Sequence, residues 1–128
     1  MVKEYIAYQG TAFTIEWYYD ANGSSQALEY YNSLNAEEKI KVLRLFKRMG
    51  DVGEIKDRTK FNFEGNQIYA FKPKPQRFLC FFFTGKKIIV TNAFCKRKQK
   101  LPQNEKDKAV KYKMDYENRT YHGDYYAQ

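Results

Sequence analysis

The chain has 128 residues, with 23 Lys and Arg against 15 Asp and Glu, one His, two Cys, three Pro and an aromatic fraction of 18%. That is a single domain's length, 1–128, long enough to bury a core without disulfides or structural metal and too aromatic for a disordered chain. A mean hydropathy of −0.80 and a most apolar run limited to Phe78–Thr84 exclude a spanning helix, which needs ~20 apolar residues. No apolar leader with a small-residue cleavage site follows Met1, so a cytoplasmic setting is expected. The formal charge of +8 implies an anionic partner, whether nucleic acid, acidic protein or membrane surface.

Along the chain, Phe13 to Asp20 alternates, with Phe13, Ile15, Trp17 and Tyr19 on one side, and predicts a half-buried strand. Asn22-Gly23-Ser24-Ser25 ends it and offers Ser25 as the N-cap of a helix carrying Ala27, Leu28, Tyr31 and Leu34. Asn35 with Glu38 three residues on has the capping-box pattern, opening a second helix to about Met49. Its residues Ile40, Val42, Leu43, Leu45, Phe46 and Met49 define a buried face, Lys39, Lys41, Arg44, Lys47 and Arg48 a solvated one, and Gly50 a stop.

The period then changes. Phe61–Phe63, Ile68–Lys72, Phe78–Phe83 and Lys87–Phe94 are short runs split by Glu64-Gly65-Asn66, Pro73-Lys74-Pro75 and Thr84-Gly85-Lys86, the pattern of an antiparallel meander. The last two are apolar almost throughout, which fits either two covered faces or one face against the helix pair. Pro102 and Asn104 open a final helix with Ala109, Tyr112 and Tyr116 on one side, and beyond Asn118 no period is visible. The expected fold is α+β, with helices on one face of a mostly antiparallel sheet. Residues 1–11 and 119–128 read as extensions. Cys80 and Cys95, without CxxC spacing or a companion His, read as buried reduced thiols and not as a zinc site.

No nucleophile elbow, phosphate-cradling Gly-rich loop, HExxH, Cys–His arrangement or pair of carboxylates in an apolar setting is present. What remains is a set of cations at strand ends and turns: Lys72, Lys74, Arg77, Lys96, Arg97, Lys98 and Lys100. Arg suits bidentate phosphate contact and Lys adds a movable point charge. Arg77 opens an otherwise apolar strand, where a charge is costly unless it is paired or faces a ligand. Tyr18-Tyr19 and Tyr30-Tyr31 read as core and rim, not as stacking platforms.

The second half, taken as one pattern, resembles the RelE/HigB superfamily of type II toxins, in particular its phage-related HigB-like branch. Arg77-Phe78 heads a strand, Gly85-Lys86 makes a turn, and Phe94-Cys95-Lys96-Arg97-Lys98-Gln99-Lys100-Leu101-Pro102 fits F-x-K-K/R-x-x-K-x-P before an Ala109-containing helix. The resemblance spans roughly Ala12 to Arg119. It implies a RelE-like fold in which a helical hairpin and a C-terminal helix pack on a four- to five-stranded sheet. It also implies a ribosome-dependent endoribonuclease that cuts mRNA in the A site without a metal or cofactor, and a cognate antitoxin that often carries a helix-turn-helix DNA-binding domain. Transferred by position, Arg77 would stabilise the transition state and Lys96 and Arg97 would hold a phosphate. Lys72 or Lys74 would supply a lysine base of lowered pKa, and Tyr121 or His122 the general acid, with Lys98 and Lys100 adding RNA contacts. The Pro73-Lys74-Pro75 turn and the aromatic tail depart from the family pattern. Two alternatives come from other classes: a ParE-like toxin that binds gyrase without nuclease activity, and a non-catalytic basic RNA-binding domain.

Overall fold

Ser25 and Asn35 cap helices as their positions imply. In the computed structural model, which describes residues 3–97 and 100–127, Ser25 Oγ accepts from Leu28 N at 3.3 Å and opens α1 (Gln26–Ser33). Asn35 and Glu38 form the full capping box that opens α2 (Ala36–Val52). The strands are β1 (Ile6–Gln9), β2 (Thr14–Trp17), β3 (Phe61–Gly65), β4 (Ile68–Phe71), β5 (Gln76–Phe83) and β6 (Lys87–Cys95), and α3 spans Gln103–Tyr121. They form a six-stranded sheet in the order β1-β2-β6-β5-β4-β3. β2 and β6 run parallel, Ile15 opposite Ile88, and the other neighbours are antiparallel. The architecture is therefore α+β with a mixed sheet, two strands larger than the lower expectation of four and one larger than five.

The helices do not share one face. Ile15, Trp17, Val42, Phe46, Phe71, Phe78, Ile88 and Val90 pack between the sheet and α1/α2. Tyr18, Ile68, Leu79, Phe81, Ile89, Ala109, Tyr116 and Tyr125 pack between the sheet and α3 with the tail. Two covers explain why β5 and β6 are apolar on both sides, and each fully buried large side chain contributes about 1.5–3 kcal/mol. They also explain Glu16, which the half-buried strand pattern assigns to solvent but which is 5% exposed. Ile40 and Leu43, by contrast, are exposed, because α2 needs only Val42, Leu45, Phe46 and Met49 to cover the sheet.

Gly50 does not end α2. The helix runs on to Val52 and stops at Gly53, whose φ of 89° suits glycine. Gly50 instead takes the β1–β2 hairpin against its backbone: Ala12 N and Phe13 N donate to Gly50 O at 2.7 and 2.9 Å, and a Cβ on Gly10 would lie 2.1 Å from the Gly50 carbonyl carbon.

β6 carries a bulge. Leu79 faces Asn92 and Cys80 faces Val90, which leaves Thr91 unopposed. Thr91 and Asn92 are both buried, and Asn92 Nδ2 donates to Glu105 O and Oε1 at 3.1 and 3.0 Å, tying the first turn of α3 to β6. The tail also packs. Tyr125 is 2% exposed and its hydroxyl accepts from Tyr19 N at 2.8 Å, while Tyr126 donates to Glu16 Oε1 at 2.6 Å. Cys80 is buried and Cys95 half-buried, and both are free thiols. Among the described residues no helix is long and apolar enough to cross a membrane.

Candidate functional site

At one end of the β5–β6 ladder Gln76 pairs with Cys95 and Arg77 with Phe94. Just past it Lys96 N donates to Pro75 O at 2.9 Å, while Lys72 N donates to Lys60 O at 2.8 Å. The Lys72–Pro75 turn between β4 and β5 is thus stitched to Lys96 on one side and to Lys60 on the other. Alternation along β5 turns Gln76 toward α1 and α2, where it accepts from Tyr30 Oη and donates to Glu38 Oε2 at 2.8 Å. Arg77 falls on the α3 face with Leu79 and Phe81.

The Arg77 guanidinium is half-buried and poorly satisfied. Nη1 donates to Gln76 O at 2.9 Å, and among the described residues Nε is the buried side-chain nitrogen without a hydrogen-bond partner. Burial holds its pKa below the ordinary arginine value, against the opposing pull of Glu64 and Cys95. Lys96 is displaced the same way, first by burial and then by the positive charges of Arg77 and Lys72, with Glu64 opposing. Charges act on one another in this manner only when close, so Arg77, Lys96, Lys72 and Glu64 form one cluster. Lys72 Nζ lies 3.5 Å from Glu64 Oε2, the side chains 14% and 19% exposed, and also donates to Arg58 O at 3.4 Å.

The other expected residues are dispersed. Lys74 is exposed at the tip of the turn and faces a cleft toward α2 together with Lys41, Arg44 and Lys60. Arg97 is exposed, and its charge acts on the Tyr30 hydroxyl of α1, so it flanks the cluster from the α1 side. Lys100 is exposed ahead of α3. Lys98 lies outside the described residues. Tyr121 is 86% exposed and lines a shallow depression with Phe83, Glu117 and Thr120. Phe83 ends β5 six residues from Arg77, roughly 20 Å along the strand at ~3.3 Å per residue. His122 caps α3 at that same far end, its ring 5.2 Å from that of Tyr121. The structure therefore does not bring Tyr121 or His122 to Arg77, because α3 starts near the cation cluster and runs away from it.

Sequence reasoning missed Glu64, the lone carboxylate between Arg58 and Lys74, whose isolation among cations was the available signal. It also read Lys41 and Arg44 as a solvated helix face. Among the described residues no group of three His, Cys, Asp or Glu side chains converges as a metal site.

Fold and cluster define a basic α+β protein with a crowded cationic site at one end of its sheet. Residues 29–113 match the family described as phage-derived protein Gp49-like (DUF891). That is more than half of the chain, which therefore belongs to this family, one associated with RelE- and toxin-like proteins. The matched segment contains the whole cation cluster and ends before Tyr121 and His122. No curated protein matches the chain.

Proposed function

We propose that this protein is the toxin of a type II toxin–antitoxin system, a HigB-like, ribosome-dependent endoribonuclease that cleaves mRNA without a metal ion. The observation that carries the proposal is the half-buried Arg77, whose Nε has no partner among the described residues, beside Lys96 and Lys72. Three cations against one carboxylate, partly withdrawn from water, leave an excess of positive charge that a phosphodiester would neutralise.

RNA scission by the adjacent ribose requires loss of the 2′-hydroxyl proton, attack of that oxygen on phosphorus, and departure of the 5′-oxygen with a proton, leaving a cyclic phosphate. Arg77 is suited to the charge that builds on the non-bridging oxygens, since its donors are already fixed and desolvated. Lys96 replaces Lys72 or Lys74 as the base, because burial, and after it the charges of Arg77 and Lys72, favour its neutral amine. Lys72, steered by Glu64, holds the phosphate. Tyr121 and His122 have no part in this site; the leaving oxygen takes its proton from water. A cognate antitoxin would cover the same cations.

The test is purified protein on programmed ribosomes, with primer extension across the A-site codon. Cuts positioned by the codon that vanish in Arg77→Ala, at unchanged Tm, are the expected result. Intact mRNA with inhibited gyrase, or bound but uncut RNA, refutes it.

A further inference from the structure

A cleft of about 290 Å³ opens between α2 and the Lys72–Pro75 turn, with the cations Lys41, Arg44, Lys60, Lys72 and Lys74 on its walls together with Thr59. We propose that this cleft binds backbone phosphates of the single-stranded RNA that flanks the scissile linkage; the identity of the anion rests on the nuclease function proposed above.

The convergence of charge supports the assignment. Ion pairs elsewhere join Lys47 to Asp51, Lys108 to Glu105, Lys113 to Glu117 and Arg119 to Asp115. The half-buried Lys39 and the exposed Arg48 and Lys111 form none among the described residues, so the cleft is set apart by the gathering of its cations and not by their lack of pairs. Among the described residues Lys41, Arg44, Lys60 and Lys74 have no ion pair within 4.0 Å. Asp57, whose carboxyl feels Lys60 and Lys74, is already engaged, accepting from Thr59 N at 2.9 Å and Thr59 Oγ1 at 2.6 Å. The cleft is thus a concentration of positive charge drawn from three separate segments of chain.

Its chemistry favours phosphate over base. The apolar lining is Leu45 and Pro73, with no aromatic ring among the described lining residues on which a nucleobase would stack, so the contact tracks backbone and ignores sequence. Continuity with the cluster is built into the turn. Lys72 belongs to both places, lining the cleft and acting on Lys96, and the turn's backbone bonds to Lys60 and to Lys96 set the two sites side by side. A strand gripped at Arg77 has a path around the turn into the cleft.

The test uses the full chain and oligonucleotides with 2′-O-methyl riboses, which lack the attacking hydroxyl. A labelled dodecamer is followed by anisotropy across a KCl series and a dinucleotide by chemical-shift titration. Lys41→Gln/Arg44→Gln is compared with Lys108→Gln/Lys111→Gln, which removes equal charge from exposed positions on α3. The expected result is dodecamer affinity lower by about tenfold in the cleft variant, with the salt slope shallower by about 1.4 if two phosphate contacts are lost. The α3 variant should stay close to wild type, and dinucleotide affinity should be the same in all three proteins. Equal dodecamer affinity in both variants overturns the proposal, as does equal weakening of dodecamer and dinucleotide. Tighter, cleft-dependent binding of polyglutamate than of the dodecamer also overturns it, in favour of an acidic polypeptide. Failure of the nuclease function is scored separately, as uncut mRNA on ribosomes while dodecamer binding remains cleft-dependent.

Discussion

Arg77 and Arg119 are both half-buried, and their surroundings could hardly differ more. Arg119 Nε and Nη2 donate to Asp115 Oδ2 at 2.9 and 2.7 Å, Nη2 also reaches Tyr19 O, and the guanidinium lies 4.7 Å from the Tyr125 ring centroid. Burial alone would lower its pKa, but the bonds with Asp115 and Tyr18 reverse that and raise it. Arg77 has one backbone carbonyl as its hydrogen-bond acceptor among the described residues, and burial lowers its pKa despite the opposing pull of Glu64 and Cys95. The same contrast separates Lys87, which donates to Tyr126 Oη at 3.0 Å and pairs with Glu16 at 3.4 Å, from Lys96. A buried cation whose partners are supplied by the chain holds the fold together; one left short of partners is poised for an anion from outside.

Substitution separates the two roles, beginning with the largest effect. Arg77→Ala should lower the cleavage rate by about 10²–10³-fold, the loss typical of one transition-state donor, with a Tm equal to or slightly above wild type as charge crowding is relieved. Cleavage assays paired with thermal melts check both halves. Arg119→Ala should do the reverse, costing about 2 kcal/mol of stability, less than a fully buried pair because the Asp115 side chain is 34% exposed and screened by solvent. Activity per folded molecule should survive.

Acid sharpens the structural side of the comparison. Burial pushes the Asp115 carboxyl up, but hydrogen bonds from Arg119 and Tyr18 outweigh it and leave the pKa below the ordinary carboxylate value. The stability from this pair is therefore present above the unfolded-state pKa and disappears as pH falls through the lower folded-state pKa. A plot of Tm against pH should lose that part of its acid limb, worth about 1 kcal/mol or less after screening, in Asp115→Asn. The smallest effect concerns the other side. Removing the positive charge at Lys72 raises the Lys96 pKa, so the ascending limb of the pH–rate profile should move to higher pH by a fraction of a unit in Lys72→Gln. A limb that stays in place would separate Lys96 from the base role.

The elements with local signals were legible. Ser25, Asn35 and Glu38 cap where spacing places them, and the meander follows its Gly- and Pro-containing breaks. Tyr18 and Tyr19 are buried, at 2% and 7% exposure, as expected of core residues. What escaped depends on distant chain. β1 lies at the sheet edge with its residues half-buried or exposed, so it carries no apolar alternation to read. Tyr125 is buried by insertion between Tyr5, Tyr18 and Tyr116, which no periodicity announces. Strands apolar on both sides were compatible with one cover or two; the expectation of helices on one face was wrong, because α3 and the tail cover the opposite side. For the site, Arg77 as an anomalous charge in an apolar strand was readable, and so was the nearness of Lys96. The direction of α3, which carries Tyr121 and His122 away, was not.

Tyr5 packs against Tyr19, Tyr125 and Tyr126, with ring centroids 5.4, 5.7 and 5.1 Å apart, so early and late segments of the polypeptide close over each other. Vectorial synthesis delivers them at opposite times. The α3 side stays open until residue 125 has emerged, and a nascent chain short of that point lacks the closure that holds α3 and its tail in place.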